Sequence, residues 1–413
     1  MKSFLPVLCL LSASAAAAPR ADIRDVPVTR EGSTLLLDGK PWKAVGANVY
    51  WLGLDENVTP ASGEPYYAPL RASYPTKGRT TEIMAVVKAM GGTAIRAHTL
   101  GVSTGNPLSL VPAPGQVNKQ AFEPIDWAVW QAREYGLRLL IPLTDNFDYY
   151  HGGKYNFLRW AGFNLTQTKD STNPLVMQFY TNETIVGAFK DYIRTLITHV
   201  NPYTNLSYAD DPTIFAYETG NELCGPVWGD MNVPAGWVRE IGGFVKQLAP
   251  KKLIVDGTYG VNKTHLSVEE VDIFSDHYYP VSISKLRADV DLVNSVNKTY
   301  FAGEYTWVKS ASAATDADLA SWFKVLEQSP AVIGDALWSL FGHNVPDCKT
   351  LVEHSDGLAL QYGNLAHATQ IQLIRQHFMK ASQGLSIATN AALPQVPCPA
   401  STSGTETATR RNR

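Results

Sequence analysis

The stretch 213–224, TIFAYETGNELC, decides the fold. It opens as an apolar run, Ile214-Phe215-Ala216-Tyr217, then breaks at Gly220 and presents Asn221 and Glu222. A short run that is apolar throughout fits a strand covered on both faces, as in a parallel sheet. A buried strand ending in an amide beside a carboxylate is how a parallel barrel brings an acid to its mouth. A second stretch, YFAGEYTW (300–307), repeats the plan and ends its apolar run at Glu304.

Working outward, the chain alternates regularly. Strands are predicted at 43–50, 93–98, 137–143, 213–219, 252–256, 273–277, 299–303 and 332–338. Helices are predicted at 80–90, 124–135, 183–200, 235–248, 267–270, 284–293, 316–327 and 364–379. The helical segments carry the spaced apolar pattern, as in Ile185, Phe189, Tyr192, Ile193, Leu196 and Ile197. Eight such units close naturally as an α/β fold of the (β/α)8 TIM-barrel type. Residues 28–42, with Asp38-Gly39 between two short apolar pieces, read as a β-hairpin capping it. The barrel occupies 19–382 and an irregular tail 383–413. Long loops rich in Tyr and Trp follow the first strand (51–79) and the third (145–182), which puts both on the C-terminal face.

Of the 413 residues, 45% are hydrophobic, enough for a large core, and the net charge is −3 with mixed signs. That balance gives no reason to expect nucleic acid or an anionic membrane surface as partner. Residues 1–18 read as a secretory signal, with Lys2, an apolar stretch at 4–11 and small residues at 13–18. The apolar stretch is too short to span a bilayer. Six Asn-X-Ser/Thr sites, at Asn57, Asn164, Asn182, Asn205, Asn262 and Asn297, agree with an extracellular glycoprotein. Cys9 leaves with the signal. Cys224, Cys348 and Cys398 remain, so one disulfide and one free thiol are expected, with the pairing open. Cys224 follows Glu222, but a thiol nucleophile needs a positioned His, and none stands beside it in sequence.

Polar residues at the C-terminal strand ends would face one pocket. Arg96 and His98 share a face of the second strand, Asn221 and Glu222 end the fourth, His277 and Tyr279 end the sixth, Glu304 the seventh and Trp338 the eighth. Two carboxylates flanking a scissile bond are what glycoside hydrolysis needs. Arg96 would hold one carboxylate ionised. Asn221 suits a sugar hydroxyl, Tyr279 can donate to the nucleophile and Trp338 can carry a sugar ring. Glu218 shares the face of Glu222 but lies four residues deeper, about 13 Å along a continuous strand, and reads as structural. No HExxH motif, metal-ligand spacing or glycine-rich phosphate loop is present, so neither a metal nor a nucleotide cofactor is implied.

At these residues the chain resembles glycoside hydrolase family 5, and within it the fungal and plant endo-β-1,4-mannanases. The likeness rests on GANVYWLGL (46–54), FLRWAG (157–162), NPLVMQFYTNETIVGAFKDYI (173–193), DDPTIFAYETGNE (210–222), HYYP (277–280) and GEY (303–305). By that resemblance Glu222 matches the acid/base and Glu304 the nucleophile. Arg96, Asn221, His277, Tyr279 and Trp338 match pocket residues, and no cofactor is needed. One departure stands out: Leu223 and Cys224 follow the acid/base where the family usually has Pro and often Arg. The resemblance implies a hydrolase that cuts β-1,4-mannan internally; the chain is expected to be a secreted monomer, and the long aromatic loops offer Trp51, Trp160 and Trp228 as walls of an open cleft. The alternatives are an exo-β-mannosidase or β-1,4-glucanase on the same machinery, and a catalytically silent carbohydrate-binding barrel.

Overall fold

The computed structural model describes residues 22–57, 72–225, 227, 231–308, 318–345, 348–354 and 356–399. The proposed signal, Trp228, the first residues of the seventh predicted helix and the end of the tail lie outside them.

Eight parallel strands close a barrel in sequence order: β1 (Ala44–Asn48), β2 (Ala94–Arg96), β3 (Arg138–Pro142), β4 (Ile214–Glu218), β5 (Leu253–Asp256), β6 (Ile273–Tyr278), β7 (Thr299–Thr306) and β8 (Val332–Trp338). Closure is made by β8 on β1, with Gly334 opposite Ala44 and Leu337 opposite Ala47. All but one of the residues in these strands are buried, which is why they read as apolar runs. The barrel interior mixes small and large side chains, Ala44, Ala94 and Ala216 with Leu140, Phe215 and Phe301. A larger apolar shell fills the space between strands and helices.

Helices follow seven of the strands: Lys77–Ala89, Phe122–Glu134, Glu183–Ile197, Ala235–Leu248, Ile283–Asn294, Leu319–Gln328 and Ala368–Gln383. The one at Glu183–Ile197 starts where the Asn182 side chain accepts from the N–H groups of Thr184 and Ile185. It buries Ile185, Phe189, Tyr192, Ile193, Leu196 and Ile197, the stripe read from the sequence. After β5 the expected helix at 267–270 is absent. A short 3-10 turn, Lys263–His265, stands earlier, and the chain continues through turns that bury the β-branched Val268 and Val271.

The N-terminal cap has three strands rather than two: Val28–Glu31, Thr34–Leu37 and Lys40–Trp42, in antiparallel order. The second turn, Asp38-Gly39, has both residues at positive φ (54° and 69°), as a two-residue hairpin turn requires. Gly32-Ser33 makes the other turn. The sheet closes the end of the barrel away from the strands' C-termini, with Val28 and Leu35 in the inner core and the Trp42 ring edge-on to Phe215 at 5.4 Å.

Cys348 and Cys398 form the disulfide, and Cys224 is a buried free thiol. Residues 384–399 have no helix or strand, yet they are fastened: beyond the disulfide, the Tyr362 hydroxyl donates to Pro394 O and Gln372 to Ala388 O. Among the described residues no helix is long and apolar enough to cross a membrane.

Candidate active site

Glu222 lies four residues beyond the end of β4. The strand stops at Glu218, and the chain is then held on both sides: Asn221 N donates to Thr144 O (2.8 Å) and Leu223 N to Gly257 O (2.9 Å). Between these ties Glu222 adopts φ +47°. Left-handed backbone in a non-glycine residue is uncommon and concentrates at functional sites. Gly257 permits the close approach, since a Cβ there would lie 1.7 Å from Gly220 O. Glu218 and Glu222 are therefore not neighbours along one strand face, because the strand does not continue between them.

Glu304 lies inside β7, which runs to Thr306 and not merely to 303. Its pairing with β6 and β8 slips on either side of the glutamate, an irregularity common beside active sites. Gly303 is required here, since a Cβ would meet the His277 ring at 2.8 Å.

Arg96 joins the parts. Its side chain is fully buried; Nε donates to Glu218 Oε2 (2.8 Å), Nη1 to Glu304 Oε1 (2.7 Å) and Asn48 Oδ1 (3.1 Å), and Nη2 to Asn221 Oδ1 (2.9 Å). A rigid guanidinium fork suits this four-way contact better than a lysine would. Tyr279, 37% exposed, donates to the other Glu304 oxygen at 2.7 Å. His277 Nδ1 is 2.6 Å from Glu222 Oε1. Trp338 lines the same cavity, with its ring stacked on Tyr50 at 5.2 Å and its indole N–H donating to Asp356 (2.9 Å). Asn221 lines the cavity, its amide nitrogen donating to Asp145 Oδ1 at 3.2 Å, so both ends of its carboxamide already bind protein.

One oxygen of Glu222, one of Glu304 and a His277 nitrogen all lie within 4.8 Å of one another. They open on a cavity of about 390 Å³ whose walls include Tyr50, Tyr149, Tyr259, Trp338 and Asp356. Both Glu304 oxygens accept protein hydrogen bonds, from Arg96 and Tyr279, and Glu222 Oε1 pairs with His277. A second group, Glu82, His343 and Cys398, lacks a thiolate because Cys398 is in the disulfide.

The two carboxyls differ in charge. Burial, aided by the nearby charges of Glu304 and Asp145, pushes Glu222 up despite the opposing His277. Burial also pushes Glu304 up, but the His277 charge, the His98 hydrogen bond and Arg96 outweigh it and hold the carboxyl well below the usual range. His277 is itself raised, since the two glutamates overcome the burial that pulls it down. His98 is lowered, by burial and then by Arg96.

Of the eight residues read from strand ends, His98, Asn221, Glu222, Tyr279, Glu304 and Trp338 line the cavity, and Arg96 and His277 support its two glutamates. The rule missed Asn48, which ends β1 and braces Arg96, and Asp145, which follows β3 and braces Asn221. Asp145 closes an apolar run and carried the same signal; Asn48 lies inside the predicted strand 43–50, before Val49-Tyr50-Trp51-Leu52, and carried none. The tryptophan walls are not where they were expected. Trp51 is buried, with the Arg79 guanidinium 4.2 Å from its ring centre, and Trp160 lines a separate apolar cavity with Val111, Phe157 and Ile185.

Fold and site together define a (β/α)8 barrel with a paired-carboxylate pocket at its C-terminal mouth. Residues 26–301 match the family described as "GH family 5 beta-mannosidase-like", and the chain belongs to that family. Among curated proteins, it is 33% identical to mannan endo-1,4-beta-mannosidase 2 of Oryza sativa over 273 residues, 64% of this chain and 54% of the rice protein. It is 29% identical to putative mannan endo-1,4-beta-mannosidase P of Arabidopsis thaliana over 342 residues, 82% of this chain and 74% of that one. The chain thus spans about half the length of the rice relative. The endo-beta-1,4-mannanase of Thermotoga petrophila superposes with a TM-score of 0.67 at 22% identity, covering 85% of this chain and 79% of its own. A family 5 mannosidase from Rhizomucor miehei gives 0.64 at 17%, covering 87% and 98%. At these identities the two structures speak for the fold alone.

Proposed function

We propose that this chain is a retaining glycoside hydrolase that cuts internal β-1,4-mannosidic bonds, with Glu304 as nucleophile and Glu222 as acid/base. The observation that carries it is the unequal carboxylate pair: Glu304 held ionised by the His277 charge, the His98 hydrogen bond and Arg96, and Glu222 pushed toward its protonated form by burial, with an oxygen of each within 4.8 Å. Retaining enzymes place their carboxyls about 5–5.5 Å apart, and inverting ones need about 6.5–9.5 Å to admit a water.

Glu222 gives its proton to the leaving glycosidic oxygen while a Glu304 oxygen attacks the anomeric carbon. In the mannosyl ester so formed, the oxygen that has not attacked keeps its own donor, Arg96 on Oε1 or Tyr279 on Oε2. Water then enters from the leaving-group side, Glu222 removes its proton, and the C1–Glu304 bond breaks. Trp338 offers its ring as the floor for the sugar, and Phe147, Tyr149 and His151, stacked at alternate positions of the loop after β3, offer an aromatic wall. The plant relatives are named for mannan, and that supports mannan over cellulose. The leader-like residues 1–18 and the glycosylation sites support secretion. We read the enzyme as a monomer with no nucleic-acid or membrane partner.

The test is a product profile on mannan, glucomannan, cellulose and mannohexaose. Early release of mixed oligomers with falling viscosity is expected. Mannose alone from the first minutes would make the enzyme an exo-mannosidase, with the segment after Leu223 closing one end of the cleft. Activity confined to cellulose would refute the mannan assignment, and no turnover on any would leave a binding barrel.

A further inference from the structure

Outside the barrel, the helix Phe122–Glu134 and the hairpin formed by Val200–Asn201 and Leu206–Ser207 bring three rings together. Trp130 and Tyr203 stack at 5.1 Å and 15°, and Trp127 meets both edge-on at 4.8 and 5.5 Å. Lys77 Nζ sits 4.5 Å from the Trp127 ring centre and donates to the Tyr203 hydroxyl at 3.1 Å, while the Trp127 indole N–H donates to Lys77 O. The rings are therefore fixed, yet they are not core. Trp127 and Trp130 are half-buried and Tyr203 is 38% exposed.

Two residues after Tyr203 comes Asn205, in the glycosylation signal Asn205-Leu206-Ser207. It closes the turn at 202–205: Asn205 N donates to Asn201 O at 2.8 Å, and its φ is +58°. Asparagine is among the few residues that tolerate that conformation. Asn205 is exposed, and among the described residues its carboxamide makes no hydrogen bond. Residues two apart have Cα atoms at most ~7 Å from one another, so a sugar on Asn205 is attached next to the Tyr203 side of this turn.

The other signals lack this setting. Asn262 is buried, and Asn182 uses its carboxamide oxygen as a helix cap. Asn57 is part-buried and bonded to Asp55. Asn164 and Asn297 are exposed, but the residues two before them are Gly162 and Ser295.

We propose that Asn205 carries an N-linked glycan whose first N-acetylglucosamine lays its C–H face on Tyr203 and covers the Trp127–Trp130–Tyr203 cluster. The inference rests on entry into a eukaryotic secretory pathway and is independent of the catalytic reading. Asn205 Nδ2 bonds to the sugar C1 and gives up a proton. C1 breaks from a lipid-linked diphosphate donor, which departs with the bonding electron pair. Saturated C–H groups against aromatic faces bury apolar area on both partners.

The full chain, secreted from yeast behind a host leader, tests this in four forms: unaltered, Asn205→Gln, Tyr203→Thr and the double variant. Glycopeptide mass spectrometry is expected to find Asn205 occupied. After trimming every glycan to its single core sugar, Asn205→Gln is expected to lower the thermal midpoint by roughly 1–3 °C with Tyr203 present and to change nothing in the Tyr203→Thr background. An unmodified Asn205 beside occupied Asn164 and Asn297 would overturn the proposal, as would an equal loss in both backgrounds. Retardation of the Asn205→Gln protein on a mannan gel, abolished by Tyr203→Thr, would mark the cluster as a polysaccharide surface instead.

Discussion

His277 Nδ1 stands 2.6 Å from Glu222 Oε1, and the same nitrogen is 3.5 Å from Glu304 Oε2. One imidazole thus faces both carboxyls of the pair, and its charge favours the ionised form of each. The site separates its two glutamates by what else they touch: Glu304 has Arg96, His98 and Tyr279, whereas Glu222 has the charges of Glu304 and Asp145 near it.

The assigned roles predict opposite behaviour in two variants. Glu304→Ala is expected to abolish turnover on mannan, and added azide to return activity with a product of inverted configuration. Glu222→Ala is expected to lower kcat by about 10²–10⁴ on mannan while sparing intermediate formation from aryl mannosides whose leaving group needs no proton. Chromogenic assays and product configuration by NMR check both. Exchanged behaviour would reverse the assignment.

The pH profile follows from the same charges. Activity needs Glu304 ionised and Glu222 protonated, so the acid limb of kcat/KM reports Glu304 and the alkaline limb Glu222. His277 lowers both groups. Its replacement in His277→Phe removes a cation from each, so both limbs move to higher pH. Limbs that stay in place would show that His277 is neutral in the working range.

The barrel was legible because buried parallel strands leave uninterrupted apolar runs, and 214–217 in Ile214–Glu218 and 300–302 in Thr299–Thr306 are such runs. The same rule found Glu222, Glu304 and Arg96, although 208 residues separate Arg96 from Glu304. It failed where a strand was extended past its end. The face of Glu218 does not carry on to Glu222, because the backbone turns left-handed there. Nor does aromatic content tell which side of a loop faces solvent. Trp51 is held inward by Arg79 and Phe341, both distant in sequence.

His377 gives a stability prediction away from the site. It is buried, with Nε2 2.8 Å from Asp335 Oδ1 and Nδ1 3.0 Å from Glu327 Oε1. Burial pulls its pKa down, but the Asp335 charge and these hydrogen bonds overcome that and raise it from 6.5 to about 9. A raised pKa means stability fully present below 6.5 and lost as pH climbs through about 9, on the order of 3 kcal/mol. Lys252 works the other way: burial pushes it down to about 7, so its penalty lifts as pH rises from 7 toward 10.5. The contribution of His377 is therefore read as a difference. Urea unfolding of His377→Gln is expected to fall less than that of the unaltered chain between pH 6 and 9.5. Parallel curves would mean that His377 is not charged in the fold.

The last prediction concerns the thiol beside the acid. Cys224 Sγ accepts from Lys154 Nζ at 3.1 Å, and the same ammonium donates to Asn146 Oδ1. Burial lowers the Lys154 pKa, and the interaction with Cys224 opposes that fall. Cys224→Ala leaves a buried ammonium one acceptor short, a loss of about 1–3 kcal/mol in stability. The ties that set Glu222, Asn221 N to Thr144 O and Leu223 N to Gly257 O, involve backbone alone. Turnover at a temperature well below unfolding is therefore expected to persist in Cys224→Ala, and native enzyme to resist thiol reagents while the urea-unfolded chain reacts. Inactivation of the native protein by such a reagent, together with an inactive but folded Cys224→Ala, would give the thiol a part in the chemistry and displace Glu304 as nucleophile.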